Sequence, residues 1–338
     1  MDLQMLHATA RELVAPGKGI LASDESTGTI TKRFKAVGVE STETTRRDWR
    51  EVLFGTAGIG EEISGAILFD ETIRQQASDG QSLVSLLQSQ GVIPGIKVDA
   101  GAKPLALAAG QEKVTEGLDG LRERLSEYVS LGARFTKWRA VLTIGAGIPS
   151  RACIRANAHA LGRFAALSQE AGLVPIVEPE VLMDGAHDIQ RCFDVTEMTQ
   201  HAVMEELYAQ SVAFEGMLLK PNMVLSGKDA PEPAGAERVA EMTVRCLRRT
   251  VPAAVPGVVF LSGGQSDEQA TVNLDAINRI AAETPWELSF SYGRGLQTTP
   301  MAVWQGRAEN VEAARAAFRE RARLTSAARQ GAYSGAAA

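Results

Sequence analysis

One short stretch of the chain, residues 215–222, combines a core signature with a charged end and reads EGMLLKPN. Its apolar run is too short for a helix and is typical of a buried strand. Pro221 cannot donate to a strand ladder, so the strand is predicted to end beside Lys220. Burial lowers the pKa of an amine, and a neutral amine can condense with a ketone or aldehyde. The plainer alternative is a strand-end lysine that extends into solvent.

The elements that position Lys220 follow from a repeated pattern of short apolar segments separated by helix-length stretches. Eight such units in an undivided chain predict class α/β and a (β/α)8 TIM barrel. An open doubly wound sheet is the alternative, but no Gly-rich dinucleotide turn follows the first strand. We expect residues 1–338 to form a single domain, with residues 326–338 as a weakly ordered C-terminal tail. The predicted strands are residues 20–24, 65–69, 93–98, 135–141, 174–177, 217–219, 258–261 and 288–291.

Charged residues stand where parallel strands, buried on both faces, should be apolar. Residues two positions apart share a face of a strand, so each pair points to one side. In a barrel the carboxyl ends of the strands converge on the mouth where active sites lie. Buried ion pairs add little net stability, so a functional site explains this cluster better than packing does. The pairs are Lys97 and Asp99, Lys137 and Arg139, and Glu178 and Glu180, joined by Asp24 and Lys220.

Two glycine-containing turns follow the last two predicted strands. Residues 260–266 read FLSGGQS, and their backbone N–H groups could hold an anion at the start of a helix. Residues 291–295 read SYGRG and supply Arg294, which suits bidentate phosphate binding. Barrels commonly bind phosphate with the loops after strands seven and eight, so we expect a phosphate site here. Glycines in residues 55–60 are better explained as turn residues.

Composition and net charge argue against several classes of protein. The 338 residues carry a net charge of −6, which gives no global attraction for nucleic acid or an acidic membrane. Three widely spaced cysteines indicate reduced thiols, and the N-terminus lacks a signal peptide. No apolar run approaches the ~20 residues that a bilayer requires. We therefore expect a cytoplasmic protein that binds neither nucleic acid nor membranes.

The sequence offers little support for a metal site or for a hydrolase with a nucleophilic serine or cysteine. None of the four histidines ends a predicted strand or shows ligand spacing, so no metal site is predicted. His187 and Asp188 open a predicted helix, where a cap or a solvent contact is a better interpretation than a metal ligand. No GxSxG motif or activated cysteine indicates a nucleophilic serine or thiolate.

Taken together, the motifs resemble class I, Schiff-base-forming fructose-1,6-bisphosphate aldolases. The resemblance runs from residue 16 to residue 297 in the order of the family. It implies reversible cleavage of fructose 1,6-bisphosphate to dihydroxyacetone phosphate and glyceraldehyde 3-phosphate, in glycolysis and gluconeogenesis. It also implies a phosphorylated ketose as substrate, no metal or other cofactor, and a homotetramer. The matching stretches are PGKGILASDESTG, GIKVDAG, FTKWRAVL, VPIVEPEVL, LLKPNMV, FLSGGQS and FSYGRGLQ.

The same resemblance implies a role for each matching residue. Lys220 looks like the Schiff-base lysine, and Lys137 would keep it neutral by repulsion and lie near the middle hydroxyls of the substrate. Glu178 resembles the acid/base of carbinolamine formation and dehydration, with Glu180 as a supporting charge. Asp24 matches a carboxylate that acts on the proton of the C4 hydroxyl. The phosphate of the ketone half would meet Ser262, Gly263, Gly293 and Arg294. Ser26, Lys97 and Arg139 would serve the other phosphate or its approach.

Two positions depart from the family pattern. Ala100 stands where the family usually has a lysine, which is expected to be a neutral change. The animal enzymes end in a tail whose terminal tyrosine assists proton exchange on the enamine. Tyr333 matches an earlier tail tyrosine and is given no catalytic role.

Two other hypotheses remain open. Another Schiff-base lyase or a transaldolase on the same barrel would need only one phosphate site. A non-catalytic binding protein could keep the barrel, but such a protein would be free to lose Lys220, Glu178 and Asp24.

Overall fold

The structure of the chain, a computed structural model, describes residues 2–108, 111–281 and 283–335. The strands are β1 (Gly19–Ser23), β2 (Ile63–Leu68), β3 (Ile93–Lys97), β4 (Ala102–Pro104), β5 (Lys113–Thr115), β6 (Phe135–Leu142), β7 (Val174–Val181), β8 (Leu218–Leu219), β9 (Gly257–Phe260) and β10 (Glu287–Tyr292). The helices are α1 (Leu3–Leu13), α2 (Thr27–Ala36), α3 (Glu43–Phe54), α4 (Asp70–Ile73), α5 (Leu83–Ser89), α6 (Leu121–Ser130), α7 (Arg151–Glu170), α8 (Ile189–Ala209), α9 (Ala236–Thr250), α10 (Asp267–Ile280), α11 (Arg294–Trp304) and α12 (Val311–Arg329). Short 3₁₀ turns span Ile59–Glu61, Phe214–Gly216 and Ala308–Asn310.

Eight of these strands close a parallel barrel in the order β1, β2, β3, β6, β7, β8, β9, β10. Helices connect successive strands, so the predicted (β/α)8 TIM barrel is confirmed. Strands β4 and β5 form a separate antiparallel hairpin between β3 and β6. Its Thr115 hydroxyl donates to the carbonyl of Arg139, which ties the hairpin to the carboxyl-terminal half of β6.

The barrel interior changes from apolar to charged along its axis. Phe135, Ile176 and Leu218 are fully buried near the amino ends of their strands, where α1 covers the barrel with Leu6 and Leu13. Two residues further along the same strand faces stand the charged residues of the sequence pattern, because side chains alternate along a strand. The fold thus collects these charges at one end of the barrel.

Close packing in the apolar layer depends on one glycine of β3. A Cβ atom on Gly95 would lie 2.3 Å from the ring of Phe135, far inside contact distance. The glycine therefore lets a phenylalanine fill the interior between β3 and β6. The charged residues lie directly on this close-packed apolar layer.

Several element boundaries differ from those predicted. Met217 precedes β8 rather than belonging to it, although the strand does end before Pro221. The helices α2 and α11 were not predicted from the sequence. The first turn of α2 reads TGTI, which combines β-branched residues with a glycine, and α11 contains Pro300. These residues have low helix propensity, and tertiary packing overrides it.

The expected start of a weakly ordered tail at residue 326 is corrected by α12, which continues to Arg329. The Arg329 side chain is buried and donates to the carbonyls of Val14, Ala15 and Lys18 at the amino end of β1. This contact fixes the last helical turn, and sequence periodicity gave no sign of it. Residues 336–338 of the expected tail lie outside the described residues.

Candidate active site

A pocket of about 620 Å³ opens at the carboxyl ends of the barrel strands. All twelve site residues predicted from the sequence line it, together with Glu25, Thr29, Lys32, Arg33, Asp99 and Ser291, among others. The twelve are Asp24, Ser26, Lys97, Lys137, Arg139, Glu178, Glu180, Lys220, Ser262, Gly263, Gly293 and Arg294. The prediction that strand-end charges converge on one mouth therefore matches the geometry.

Lys220 lies at the floor of this pocket, directly after β8. Its backbone N–H donates to the carbonyl of Val177 at 2.8 Å, which holds the extended course of the chain past the strand end. The side chain is 3% exposed, and its Nζ lies 3.4 Å from Oε1 of Glu178. Burial lowers the pKa of Lys220, and the charge of Lys137 lowers it further, against the opposing effects of Glu178 and Asp24.

Lys137 on β6 stands between two carboxylates. Its Nζ is 2.6 Å from Oδ2 of Asp24 and 3.1 Å from Oε2 of Glu178. Burial opposes the charge, but Asp24, Glu178 and Asp99 more than offset it and raise the pKa of Lys137. The two buried lysines are thus pushed apart in pKa, so that Lys137 holds its proton far more tightly than Lys220 does. This separation permits one neutral amine beside one fixed cation.

The carboxylates of Asp24 and Glu178 are ionised in the resting site. Burial alone would raise the pKa of each, yet both pKa values lie below their ordinary range because Lys137 and Lys220 attract the anions. Both groups are therefore ready to accept protons before they can donate them.

Arg139 and Glu180 form a second ion pair nearer the pocket rim. The Nε of Arg139 donates to Oε2 of Glu180, while the arginine side chain remains 42% exposed. Burial opposes the charge of Arg139, but Glu180 dominates and raises its pKa. The half-exposed guanidinium is accessible to an anion that enters the pocket.

Asp99, which ends the first of the three charged pairs, is almost fully enclosed. Its carboxylate lies 3.1 Å from the Nζ of Lys97 and accepts the backbone N–H of Arg139 at 3.2 Å. It also accepts the N–H of Gly101 at 3.1 Å. Asp99 thus ties the end of β3 to β6 and fixes the direction in which Lys97 points.

Two glycine turns form the opposite wall. Gly263 adopts φ +59° and Gly264 φ +149°, conformations that side chains rarely tolerate, and α10 begins three residues later. Gly293 precedes α11, whose first residue is Arg294. Burial and the nearby charge of Arg33 lower the pKa of Arg294. The wall therefore combines backbone N–H groups with two close guanidinium groups, an arrangement suited to a phosphate dianion.

Sequence reasoning missed the pocket-lining face of α2. Thr29, Lys32 and Arg33 lie on this face, with the i, i+3, i+4 spacing of neighbours on a helix. Ser26 adopts an extended conformation at the amino end of α2, and a serine before a helix is a recognised start signal. That signal could have revealed the helix and its two cations.

Ser291 was also missed as a site residue. Its side chain lines the pocket, and its buried hydroxyl has no hydrogen-bond partner among the described residues. An unpaired buried hydroxyl is costly, which makes Ser291 available to a ligand group.

No metal site is visible in the part of the chain that the structure describes, since no three metal-ligating side chains come together there. Asp188 caps α8, as its place at the start of a predicted helix suggested, and accepts the N–H of Arg191 at 2.7 Å. Among the described helices, none has the length and apolar character that crossing a membrane requires.

Comparisons with known proteins identify the family of the chain. The family model for fructose-bisphosphate aldolase class-I matches residues 5–338. A probable class 1 fructose-bisphosphate aldolase of Xanthomonas campestris pv. campestris is 58% identical over 90% of each chain. A cytosolic fructose-bisphosphate aldolase of Arabidopsis thaliana is 53% identical over 98% of this chain and 84% of its own.

Among solved structures, the fructose-bisphosphate aldolase of Plasmodium falciparum superimposes with a TM-score of 0.97 at 49% identity. The match covers 98% of this chain and 96% of that one. Sequence and fold agree over almost the whole length, and the chain therefore belongs to the class I fructose-bisphosphate aldolase family.

Proposed function

We propose that this protein reversibly cleaves fructose 1,6-bisphosphate to dihydroxyacetone phosphate and glyceraldehyde 3-phosphate, through a Schiff base on Lys220, in glycolysis and gluconeogenesis. One observation carries the proposal: a buried amine with a lowered pKa lies 3.4 Å from a carboxylate and beside a second lysine that keeps its charge. Such an amine is nucleophilic, and its neighbours can handle the protons of imine formation.

In the first half of the reaction, Nζ of Lys220 attacks the C2 carbonyl carbon. Glu178 first takes a proton from the Lys220 ammonium, and one N–H proton of the adduct moves to the new alkoxide. Glu178 then returns its proton to the carbinolamine hydroxyl, which leaves as water, and a protonated imine remains. Glu178 suits this task because it contacts both Lys220 and Lys137 and is ionised at rest.

In the second half, the imine draws the electrons of the C3–C4 bond as Asp24 takes the proton of the C4 hydroxyl. Glyceraldehyde 3-phosphate leaves, and the remaining enamine takes up at C3 the equivalent of the proton that Asp24 accepted, which returns Asp24 to its ionised form. Water then hydrolyses the imine, which releases dihydroxyacetone phosphate and restores Lys220. Lys137 stays charged and stabilises the developing oxyanion near the middle hydroxyls.

The two phosphates of the substrate would occupy opposite walls of the pocket. Ser262, Gly263, Gly293 and Arg294 would hold the phosphate of the ketone half, with Arg33 and the Ser291 hydroxyl close by. Ser26, Lys97 and Arg139 would hold the other phosphate. In this assignment Glu180 supports Arg139, with which it is paired.

The direct test of the function is a coupled assay of triose phosphate release from fructose 1,6-bisphosphate, run with and without EDTA. We expect turnover that survives EDTA, because amine catalysis needs no Lewis acid. Absence of turnover would contradict the proposed function, and loss of activity in EDTA would indicate the metal-dependent chemistry of another aldolase class.

Arg139→Ala should erase much of the preference for the bisphosphate over fructose 1-phosphate. In the proposed assignment the half-exposed guanidinium meets the phosphate that only the bisphosphate carries, and a hydrogen bond to a charged group contributes about 1.5–3 kcal/mol. We expect the ratio of kcat/KM values for the two substrates to fall about 10- to 100-fold.

The matched control for this change is Arg134→Ala. Arg134 is 43% exposed and pairs with Glu12 as Arg139 pairs with Glu180, but it lies outside the pocket. The control should leave the substrate ratio unchanged. An equal ratio in the Arg139→Ala variant and the control would remove Arg139 from the phosphate site and favour a lyase with a single phosphate site.

The remaining parts of the proposal rest on the family relationship. We place the protein in the cytoplasm, as a homotetramer, with residues 1–338 as one (β/α)8 domain. Its partner is the phosphorylated ketose, and the proposal includes no metal, cofactor, nucleic acid or membrane.

A further inference from the structure

A buried carboxylate immediately after Asp24 is the centre of a hydrogen-bond network that the proposed chemistry does not use. The side chain of Glu25 is 4% exposed and binds two arginines, Arg33 through Oε1 and Arg50 through Oε2 at 2.6 Å. Gln297 of α11 donates to Oε1 at 2.9 Å. One carboxylate thus joins the loop after β1 to three helices, α2, α3 and α11.

The members of the network other than Arg33 are buried and hydrogen-bonded to one another or to β1. Gln297 also donates to the carbonyl of Ala22 on β1 at 2.7 Å and accepts from the indole of Trp49 at 3.0 Å. Arg50 is 3% exposed, so its guanidinium has no access to a ligand. Glu25 and Arg33 both line the pocket, but Arg33, at 24% exposed against 4% for Glu25, is the more accessible of the two to a ligand there.

Charge balance keeps Glu25 ionised. Burial alone would raise its pKa, but Arg33 and Arg50 dominate and hold the pKa below its ordinary value. Two guanidinium groups share one anion, so the cluster retains a net positive charge. This net positive charge is available to a ligand at Arg33, which faces the pocket.

Arg33 lies against the glycine turn of the proposed phosphate wall. Its Nη2 is 3.9 Å from the position that a Cβ atom on Gly293 would occupy. Its charge also lowers the pKa of Arg294, which means that the two cations repel each other across the turn. An unrestrained Arg33 would move away from Arg294 into solvent, because like charges separate and a free arginine gains rotamer entropy.

We propose that Glu25 is a positioning residue that holds Arg33 beside Arg294, so that both guanidinium groups meet the phosphate on the ketone half of the substrate. The inference rests on the proposed function and deepens it, because it distinguishes Arg33, which binds the phosphate, from Glu25, which orients Arg33. In this assignment Glu25 is not a substrate contact, because both of its carboxylate oxygens are bound by arginines. Its effect passes through Arg33 and should appear in KM rather than in kcat.

A double-mutant cycle of Glu25→Gln and Arg33→Ala tests this coupling. Glutamine keeps the volume and one acceptor but loses the charge that restrains Arg33. We expect KM for fructose 1,6-bisphosphate to rise about 10-fold in Glu25→Gln and about 30-fold in Arg33→Ala, with kcat within about twofold of wild type. In the double variant KM should equal that of Arg33→Ala within about twofold, because no Arg33 remains to be positioned.

The control is Glu71→Gln, which weakens the two-point pair with Arg46 outside the pocket. It should leave KM unchanged while lowering the melting temperature. The proposal would be overturned if Glu25→Gln raised KM by the same factor in the wild type and in Arg33→Ala. It would also be overturned if Glu25→Gln changed kcat and left KM unchanged. Wild-type turnover is measured in the same series, so a failure of the proposed function itself is seen separately.

A second variant avoids the risk that Glu25→Gln does not fold. Arg33→Lys keeps the cation on the surface of α2, but one ammonium group cannot bridge Glu25 and a phosphate as a guanidinium fork does. We expect its KM to rise at least about fivefold. A wild-type KM in Arg33→Lys would show that the bridging geometry is not required and would overturn the proposal.

Discussion

Replacement of Lys220 by methionine should abolish cleavage of fructose 1,6-bisphosphate, with kcat lower by more than about 10⁴-fold, while the barrel stays folded. The variant has no amine that can form an imine, and without the imine nothing withdraws the electrons of the C3–C4 bond. Lys137 cannot replace it, because Asp24 and Glu178 raise the pKa of Lys137 and keep its amine protonated, and Asp99 holds Nζ of Lys97 away from Lys220's position.

The fold should tolerate this substitution for two reasons. Methionine matches the length of the lysine stem, and it removes a charge that burial already disfavours. Glu178 keeps Lys137 as its partner at 3.1 Å, so no uncompensated anion is left behind. The melting temperature of the variant should therefore remain close to that of the wild type.

Two measurements check the role of Lys220. Borohydride reduction in the presence of dihydroxyacetone phosphate should attach one label to the wild-type chain, which peptide mass analysis should locate at Lys220. The methionine variant should remain unlabelled. Lys228→Met is the matched control, since Lys228 is 54% exposed, pairs with Asp184 and does not line the pocket.

Either of two results would contradict the assignment. A rate that falls only a few-fold in Lys220→Met would mean that another group carries the chemistry. A label on a different lysine, with full activity in the variant, would move the Schiff base elsewhere in the pocket.

The strand-end charges could be predicted because parallel strands leave few explanations for a polar residue. Lys137 and Arg139 alternate on one face of β6, as Glu178 and Glu180 do on β7, and alternation is a local property that needs no knowledge of neighbours. The count of eight predicted strands indicated a barrel, and Lys220, at the end of one of them, was therefore predicted to lie at the same end of the barrel as these charges. The resemblance to a known family supplied the roles, which no pattern of charges could specify.

The partners of these charges could not be read from the sequence. Lys137 contacts Asp24, which is 113 positions away, and Arg139 pairs with Glu180 although Glu178 is its register partner across the strands. Such choices depend on strand stagger around the barrel and on side-chain conformation. A local pattern contains neither quantity.

The residues Glu25 and Arg33 escaped prediction for a different reason. Glu25 is one acid in the run DES, and nothing local distinguishes it from the neighbouring Asp24. Two of its partners lie on α3 and α11. Helix propensities do not predict α11, because it contains Pro300. Long-range packing created the network, so only the folded chain reveals it.

Glu178→Gln should lower kcat by about 10²- to 10⁴-fold, the range expected for loss of a positioned acid/base group. Glutamine keeps the shape of the side chain, so the loss reflects proton transfer rather than packing. Steady-state kinetics with fructose 1,6-bisphosphate measure the effect. Glu180→Gln provides the comparison: its carboxylate pairs with Arg139 rather than Lys220, so its loss should act mainly on substrate binding.

The same substitution has a second consequence whose sign is fixed by electrostatics. The Glu178 anion raises the pKa of Lys220 against burial and against the charge of Lys137. Removing the anion therefore lowers the pKa of Lys220, and the neutral amine becomes available at lower pH. The rate at which a small amine-reactive reagent modifies Lys220 should reach its half-maximum at lower pH in Glu178→Gln than in the wild type. A shift to higher pH, or none, would mean that Glu178 is too far from the amine to control its charge, and the proton transfer proposed between them would lose its basis.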